Sequence, residues 1–495
     1  MATSKKDKSN EHLNEYRFNK HLRNENFDKH PRNNHLNEHF DNSSQTKNTG
    51  RSISPLDGRY YEKVKNLSEF FSEYGLMKYR FITEISYALA LDKHGVFKLS
   101  AEEKQSLKNF KFDHSAFDKI KEIEKRTNHD VKSVELFIKD SIKLSNSEII
   151  HFCLTSEDVN SIAYALAVRD FLNKEYMPAL KVFLKDLCSL ADNNKKTIML
   201  ARTHGQVSIP TTAGKELIVF ASRIRKQLKF LEVRGVAKIN GAIGNYNAHY
   251  VSVLNFDWIK FSQDFLKSLD LECNLITTQI EPHDWLSELF HAVVRINNIL
   301  MDFSQDIWRY VSDDYFIQKK IESEVGSSTM PHKINPIDFE NAEGNIGIAN
   351  ASLVHLASKL QVSRLQRDLS DSTALRNAGV AFGHSLLAIN SIINGMKKLE
   401  PNRELMLFQV KNHPEVLAEA YQCILRKNRV AGAYEKLKNL TRGEKLTMDG
   451  MHKFARSLDI NESVKKQLIS LKVEDYIGKA SELVDIELKE IRKIV

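Results

Sequence analysis

The sequence predicts an all-α protein organised as a long-helix bundle flanked by two smaller helical domains. Glycine and proline number only 19 and 9 among 495 residues, against typical shares of about 7% and 5%, so turn residues are too few for a many-stranded fold. Apolar residues recur at steps of three and four, which is the period of an amphipathic helix. The length exceeds that of one ordinary core. We therefore expect several helical domains that pack as one body.

The predicted domain boundaries follow changes in composition and in helix length. Residues 1–50 are crowded with Asn, Lys and His and carry few apolar side chains, which is typical of a disordered, low-complexity tail. Residues 51–155 are predicted to form an N-terminal helical domain, and residues 156–399 the central long-helix bundle. Shorter amphipathic segments broken by Gly and Pro indicate a C-terminal helical domain over residues 400–495.

Three long helices are predicted in the central domain. The clearest follows Pro282, and its apolar stripe over about seven turns consists of Leu286, Leu289, Phe290, Val293, Ile296, Leu300, Phe303, Ile307 and Tyr310. A second helix is predicted from Thr211 to Arg234, with Thr211 or Thr212 as its N-cap, and a third runs through Leu356. Helices of this length with apolar seams pack beside one another as a bundle.

Composition argues against several classes of protein. The net charge of +8 comes from 72 basic and 64 acidic residues spread along the chain, so we expect no nucleic-acid partner. No stretch approaches the roughly 20 apolar residues of a membrane span, and the N-terminus lacks the apolar core of a secretory signal. The cysteines form no CxxC pair and lie far apart, at Cys153, Cys188, Cys273 and Cys423. We therefore expect a soluble protein of the reducing cytoplasm without zinc.

A polar loop between two helices is the most informative segment for chemistry. It reads Gly326-Ser-Ser-Thr-Met-Pro-His-Lys-Ile-Asn-Pro336, and the following helix is predicted to begin near Ile337. Its hydroxyls and backbone amides can form an anion-binding nest, to which Lys333 adds a cation and Asn335 an amide donor. From these residues alone, an anion-binding loop and a purely structural interhelix loop remain nearly equal alternatives.

Three further polar segments allow a structural or a functional interpretation. Residues 127–130 and 155–158 each open a helical pattern with capping side chains, so helix capping alone explains both. Residues 201–206 place His204 among Arg, Thr and Gln side chains that can fix its tautomer. A hydrogen-bonded structural histidine and a catalytic one are equally compatible with this segment.

The combination of segments resembles a known superfamily. Three of them in this order are similar to the signature regions of the fumarase/aspartase superfamily of lyases: Ser156-Glu-Asp, Arg202-Thr-His-Gly-Gln and the loop Gly326–Pro336. Further segments resemble the bacterial-type adenylosuccinate lyase family: Ser54–Tyr60, Thr127–Asp130, Lys238–His249, Thr278–Asp284 and Asp338–Asn345. The resemblance covers the chain from Arg51 to the C-terminus, and the tail has no counterpart in it.

The resemblance implies a fold, a reaction and an assembly. The fold would be fumarase/aspartase-like. The reaction would be β-elimination of fumarate from adenylosuccinate, giving AMP, and from succinylaminoimidazole carboxamide ribotide in purine biosynthesis. The protein would be a homotetramer with sites shared between subunits. No GxGxxG, Walker or HExxH segment is present, and such an elimination needs neither a redox cofactor nor a metal.

The resemblance also assigns residues to roles. Ser327 would be the base and His204 the acid that protonates the leaving nitrogen, with Ser328 and His129 as the respective competing candidates. Lys333 and Asn335 would hold the fumarate carboxylate, where negative charge develops. The remaining residues implied to bind substrate are Arg59, Tyr60, Asn128, His129, Asp130, Thr155, Ser156, Gln279, Ser328, Ile334, Asn341, Arg367, Ser372, Thr373, Ala374, Leu375 and Arg376.

Two alternatives stay open at this point. Another lyase of the superfamily, such as argininosuccinate lyase or aspartase, is the nearer one, although His332-Lys333 and the segment 279–284 look more like adenylosuccinate lyase. A catalytically silent helical scaffold is the other. It would be expected to lack Ser327, His204 or Lys333, and all three are present.

Overall fold

The computed structural model describes residues 51–319, 329–330, 332–441 and 446–494. Helices make up most of this part of the chain, which confirms the all-α prediction. The predicted disordered tail, residues 1–50, lies outside the described residues, so its disorder stays a prediction.

The N-terminal helices gather around one long helix. They are α1 (Tyr61–Val64), α2 (Ser68–Phe71), α3 (Glu73–Lys93), α4 (Ala101–Asn109), α5 (His114–Thr127) and α6 (Asp130–Ser141). Helix α3 contacts α2, α4, α5 and α6. Ser72 begins α3 by accepting a hydrogen bond from the Gly75 backbone N–H at 3.0 Å, as an N-cap does.

The central part of the chain contains the long helices. They are α7 (Ser156–Phe171), α8 (Met177–Asn193), α9 (Ala213–Leu228), α10 (Asn247–Ser252), α11 (Trp258–Ser268), α12 (Asp284–Ser312), α13 (Ile337–Leu360), α14 (Ser370–Leu375) and α15 (Ala378–Lys397). With 29 residues, α12 is roughly 44 Å long. Helix α13 packs against both α12 and α15, and a π-helical turn, Leu172–Tyr176, joins α7 to α8.

The predicted apolar stripe of α12 faces the core. Eight of its nine side chains are buried, and Tyr310 is half-buried. The predicted second helix is correct in position but too long at both ends. A strand occupies the residues up to Thr212, Thr212 caps α9, and the helix ends at Leu228 rather than Arg234.

In the described part of the chain, three short strand pairs interrupt the helices, and the sequence did not predict them. Strands β1 (Ile198–Thr203) and β2 (Gln206–Thr212) form an antiparallel hairpin. Strands β3 (Val236–Ala237) and β4 (Glu272–Cys273) pair in parallel, whereas β5 (Phe316–Gln318) and β6 (Leu399–Pro401) pair antiparallel. All three are two-stranded, so they position connections rather than form a core.

The C-terminal helices build a second apolar core. They are α16 (Arg403–Lys411), α17 (Ala418–Lys427), α18 (Ala433–Thr441), α19 (Met448–Ser457), α20 (Glu462–Ile469) and α21 (Ala480–Ile491). Buried residues between Val410 and Val473, together with Leu200 of β1, form this core. Helix α21 instead packs on α8 and α9. The three-domain division predicted for residues 51–495 stays a prediction.

Two features are absent from the described residues. No described helix combines the length and the apolar character needed to cross a membrane. In the same part of the chain, no group of three or more His, Cys, Asp or Glu side chains is arranged to hold a metal ion.

Candidate active site

His204 occupies the tip of the β1–β2 hairpin. The strands pair up to the residues that flank His204 and Gly205, and both turn residues have positive φ, at 53° and 75°. A two-residue hairpin turn of this kind requires positive φ at both positions, and Gly205 adopts it without steric cost. The hairpin leaves His204 exposed. Arg202 Nε lies 3.4 Å from Asp313 Oδ2 at the end of α12 and ties the hairpin to that helix.

Lys333, Ile334 and Asn335 lie in the connection that leads into α13. The Lys333 backbone N–H donates to the Met330 carbonyl at 3.0 Å. Lys333 and Ile334 are exposed, and Asn335 is half-buried. The prediction that the next helix begins near Ile337 is confirmed. Two residues predicted in this loop lie outside the described residues: Ser327 and Ser328.

Capping interactions shape the connection between α5 and α6. Asn128 ends α5 in a left-handed conformation, with φ of 49°. The Nδ1 atom of His129 accepts a hydrogen bond from the Lys132 backbone N–H at 3.2 Å and so caps α6. Both Asn128 and His129 are exposed, so capping leaves much of each side chain accessible to a ligand.

Asp130, the first residue of α6, joins two arginines. Its Oδ2 atom lies 2.8 Å from Arg80 Nη1 and also 2.8 Å from Arg376 Nη2. Burial by itself raises the pKa of Asp130, but the two guanidinium groups outweigh burial and lower the pKa to about 2. The carboxylate is therefore ionised near neutral pH and holds Arg376 in place.

Arg367 is held by an amide and a buried carboxylate. Its Nη1 donates to Gln279 Oε1 at 3.1 Å, and its Nη2 lies 3.7 Å from Glu157 Oε1. The same Glu157 oxygen accepts from Asn160 Nδ2 at 3.1 Å. Burial raises the pKa of Glu157, although Arg367 opposes this shift. Arg367 is thus fixed from two sides.

The segment 279–284 holds the connection that carries Arg367. Besides the bond between Arg367 and Gln279, three contacts join the segment to this connection: the Gln279 N–H donates to the Gln366 carbonyl at 3.3 Å, Gln361 Nε2 donates to Asp284 Oδ1 at 2.8 Å, and His283 Nε2 lies 4.0 Å from Asp371 Oδ2. Asp371 belongs to the short helix α14, which carries four of the predicted residues: Ser372, Thr373, Ala374 and Leu375. The segment therefore positions α14 as well as Arg367.

Tyr60 and Asn341 contact each other across a sequence separation of 281 residues. Asn341 Nδ2 donates to the Tyr60 hydroxyl at 3.0 Å. Ser391 Oγ donates to Asn341 Oδ1 at 2.8 Å, and Asn345 Nδ2 donates to the same oxygen at 3.3 Å. These bonds fix the rotamer of Asn341, while the neighbouring Arg59 is exposed.

Thr155 and Ser156 lie at the start of α7, next to a buried ion pair. The Thr155 backbone N–H donates to Asp158 Oδ2 at 2.8 Å. Asp158 Oδ1 lies 2.5 Å from Lys238 Nζ, and both side chains are completely buried. The Gly241 backbone N–H donates to the same Asp158 oxygen at 3.3 Å. The ion pair thus attaches the loop 238–241 to the start of α7.

Several of the predicted binding residues fall into connected groups. We name the largest group the arginine network, and it consists of Arg80, Asp130, Glu157, Asn160, Gln279, Arg367 and Arg376. Four of these residues were predicted from the sequence: Asp130, Gln279, Arg367 and Arg376. Within the described ranges, no hydrogen bond or ion pair joins His204 or Lys333 to this network.

The sequence interpretation missed several buried residues of the site. Arg80 and Asn160 were not predicted, and Glu157 and Lys238 appeared only inside the segments Ser156-Glu-Asp and Lys238–His249. The available signal was a charged residue on an apolar helix face. Arg80 lies between the buried Met77 and Phe81 positions of α3, where an unpaired guanidinium is strongly disfavoured.

His249 is buried beside the Asp158–Lys238 pair. It is 1% exposed, and both ring nitrogens lack a hydrogen-bond partner among the described residues. Its ring packs on Trp258 with the ring centroids 4.8 Å apart. Burial lowers the pKa of His249 to about 4, a shift that Asp158 opposes and Lys238 reinforces. The ring is therefore neutral near pH 7.

Acidification is expected to destabilise the protein through His249. Because the folded-state pKa lies below the ordinary value of about 6.5, the stabilisation is present above pH 6.5 and is lost as the pH falls towards 4. A pKa of about 4 corresponds to a loss of roughly 3 kcal/mol. Urea unfolding between pH 7 and 4 measures it. His249→Phe keeps the ring packing and should flatten this dependence, and an unchanged slope in that variant would contradict the assignment.

Solved structures show the fold of this chain in other proteins, and a family model shows its class. A fumarate lyase from Mesorhizobium sp. BNC1 superposes with a TM-score of 0.69 at 16% identity, over 86% of this chain and 97% of that chain. A 3-carboxy-cis,cis-muconate lactonizing enzyme from Pseudomonas putida gives a TM-score of 0.70 at 19% identity, over 87% and 97%. A family model described as "Lyase" matches residues 58–349. The chain is a lyase of the fumarase/aspartase superfamily.

Closer relatives define the family. A second family model, "Adenylosuccinate lyase C-terminal", matches residues 363–477. The adenylosuccinate lyase of Legionella pneumophila (strain Corby) is 46% identical over 446 residues, which cover 88% of this chain and 98% of that protein. The adenylosuccinate lyase of Escherichia coli (strain K12) is 45% identical over 450 residues, with the same coverage. The chain belongs to the adenylosuccinate lyase family, which confirms the family predicted from the sequence.

Proposed function

We propose that this lyase eliminates fumarate from adenylosuccinate to give AMP, and from succinylaminoimidazole carboxamide ribotide in the same pathway of purine biosynthesis. Membership of the adenylosuccinate lyase family carries the proposal. The arginine network supports it, because Arg367 and Arg376 can each donate two hydrogen bonds to a carboxylate or phosphate. Both substrates and all of their products contain a carboxylate or a phosphate.

The proposed chemistry is a β-elimination. Ser327 takes the proton from the carbon next to a carboxylate, and His204 protonates the nitrogen as the carbon–nitrogen bond breaks. Negative charge builds up on the carboxyl group beside the deprotonated carbon. Lys333 and Asn335 stabilise this charge by electrostatics and hydrogen bonding. The exposed hairpin tip suits His204 for this role, since a substrate can reach its ring.

Two groups of residues are proposed to bind the substrate during this reaction. Tyr60 and Asn341 form one group through their hydrogen bond, and Arg59 precedes Tyr60 in the sequence. The residues around the two connections and the start of α7 form the rest: Asn128, His129, Asp130, Thr155, Ser156, Gln279, Ser328, Ile334, Arg367, Ser372, Thr373, Ala374, Leu375 and Arg376. They are proposed to bind the nucleotide and succinyl parts of the substrate.

Turnover of the two succinylated nucleotides tests the proposed function. Purified full-length protein is incubated with each substrate, and formation of AMP or of the carboxamide ribotide is followed by ultraviolet absorbance. Fumarate release is measured in parallel. His204→Gln serves as the control, since it keeps a polar side chain on the hairpin but removes the acid. Absence of turnover with both substrates would overturn the proposal.

We also propose a cytoplasmic homotetramer. The free state of all four cysteines suits a reducing compartment. Long central helices expose apolar side chains, which isolated subunits would leave in water: Val219 of α9, Trp308 of α12, and Ile348 and Val354 of α13. Copies of the chain can bury these side chains against one another, and a closed symmetric assembly covers all of them.

Shared sites predict complementation between inactive variants. If His204 and Ser327 of one site come from different chains, His204→Gln and Ser327→Ala proteins refolded together should regain activity. With random reassortment of two independent chains per site, about one quarter of the sites receive both native residues. Activity is compared with each variant refolded alone. Activity at the control level, with subunit exchange verified, would show that one chain supplies both residues or that one role is misassigned.

A further inference from the structure

Arg80 is a charged residue on the buried face of a long helix. It lies on α3 and is only 3% exposed. Removing a guanidinium from water is unfavourable unless close partners compensate. A methionine or leucine would fill this position without that penalty, so the contacts of Arg80 must account for its presence.

The guanidinium of Arg80 connects two other helices. Its Nη1 lies 2.8 Å from Asp130 Oδ2 on α6, and its Nε donates to Asn160 Oδ1 on α7 at 2.9 Å. The planar guanidinium donates in two fixed directions at once. It therefore sets the distance and orientation between the Asp130 carboxylate and the Asn160 amide.

Each partner of Arg80 leads to one of the two arginines proposed to bind anions. Asp130 Oδ2 binds Arg376 Nη2 at 2.8 Å. Asn160 Nδ2 donates to Glu157 Oε1 at 3.1 Å, and that oxygen lies 3.7 Å from Arg367 Nη2. Arg80 is thus the branch point from which both guanidinium groups are held, and its own burial keeps it from touching the substrate.

We propose that Arg80 is a positioning residue: through Asp130 on one side and Asn160 and Glu157 on the other, it orients Arg376 and Arg367 towards the anionic groups of the nucleotide. The inference rests on the proposed function. It predicts that loss of Arg80 weakens recognition of phosphate and carboxylate while recognition of the nucleoside is retained, because the base and ribose do not depend on these two arginines.

Binding of three probes to Arg80→Met and Arg80→Lys tests the inference. The affinities of AMP, adenosine and fumarate are measured by calorimetry, and kcat and KM are measured with adenylosuccinate. Arg80→Met should weaken the binding of AMP or of fumarate roughly tenfold or more, which is the scale of a lost charge-assisted hydrogen bond. Its adenosine affinity should stay within about twofold, and KM should rise more than kcat falls. Arg80→Lys should show a smaller loss of about threefold, since an ammonium can pair with Asp130 but does not reproduce the fork to Asn160.

The control variant is Arg225→Met on α9. Arg225 pairs with Glu487 at 2.6 Å between two helices and lies outside the arginine network. The Arg225→Met variant should therefore leave the ratio of AMP to adenosine affinity unchanged. Two results with Arg80→Met would overturn the proposal. In one, the ratio of AMP to adenosine affinity and the fumarate affinity both stay unchanged. In the other, adenosine affinity falls as much as AMP affinity. If Arg80→Met does not fold, Arg80→Lys is judged by the same ratio. Failure of the wild-type protein to turn over adenylosuccinate would instead overturn the proposed function.

Discussion

Replacing Lys333 with alanine is expected to lower kcat/KM for adenylosuccinate by roughly a hundredfold or more, the scale of removing one donor to a developing oxyanion. The lysine ammonium is proposed to stabilise charge that appears on the carboxyl group only after the proton has left carbon. Because this charge is greater in the transition state than in the bound substrate, kcat should fall more than KM changes.

Steady-state kinetics of Lys333→Ala and of a matched lysine variant measure this effect. Lys319→Ala is the matched control, since Lys319 begins the same connection but its Nζ lies 4.0 Å from the exposed Glu400 carboxylate. The control should retain activity within about twofold. A loss of only a few fold in Lys333→Ala would identify Lys333 as a surface charge of the loop.

Replacing Lys238 with methionine is expected to destabilise the protein by about 3–5 kcal/mol, the usual effect of leaving one member of a buried ion pair alone. Both side chains of the Asp158–Lys238 pair are completely buried, and their charged atoms lie 2.5 Å apart. In Lys238→Met, the Asp158 carboxylate keeps only its contacts with backbone N–H groups. The start of α7 and the loop 238–241 should then separate more easily.

Urea unfolding at pH 7 compares Lys238→Met with the double variant Lys238→Met/Asp158→Asn. The double variant removes both charges and should regain part of the lost stability, because the amide oxygen can still accept from one of the two backbone N–H groups. If the double variant were no more stable than the single one, the loss would come from packing around Lys238 and not from an unpaired carboxylate.

Helices were predictable because their signals are local. The stripe from Leu286 to Tyr310 required only the 3.6-residue period, and the burial of its side chains on α12 matches it. The starts of α9 after Thr212 and of α13 at Ile337 followed from capping and proline residues in the neighbouring sequence. Local spacing was enough wherever each backbone hydrogen bond joins residues four positions apart.

The hairpin that carries His204 was not predictable in the same way. Its hydrogen bonds join strands, and its turn depends on a positive φ at His204, which a non-glycine residue adopts rarely. Contact between Arg202 and Asp313, 111 residues apart in the sequence, helps to hold it. Such a segment lacks a repeating period, so nothing in the sequence indicated its two strands.

The sequence by itself determined the all-α class, the long helices, the family and the identity of most proposed site residues. Helical periodicity and short motifs in a fixed order can both be recognised along the chain. Only the tertiary structure decided which charges are buried together. Arg80 meets Asp130 and Asn160, and Asp158 meets Lys238, across separations of 50 to 80 residues. Whether a charged side chain is solvated or paired depends on which helix covers it, and that is a property of packing rather than of local sequence.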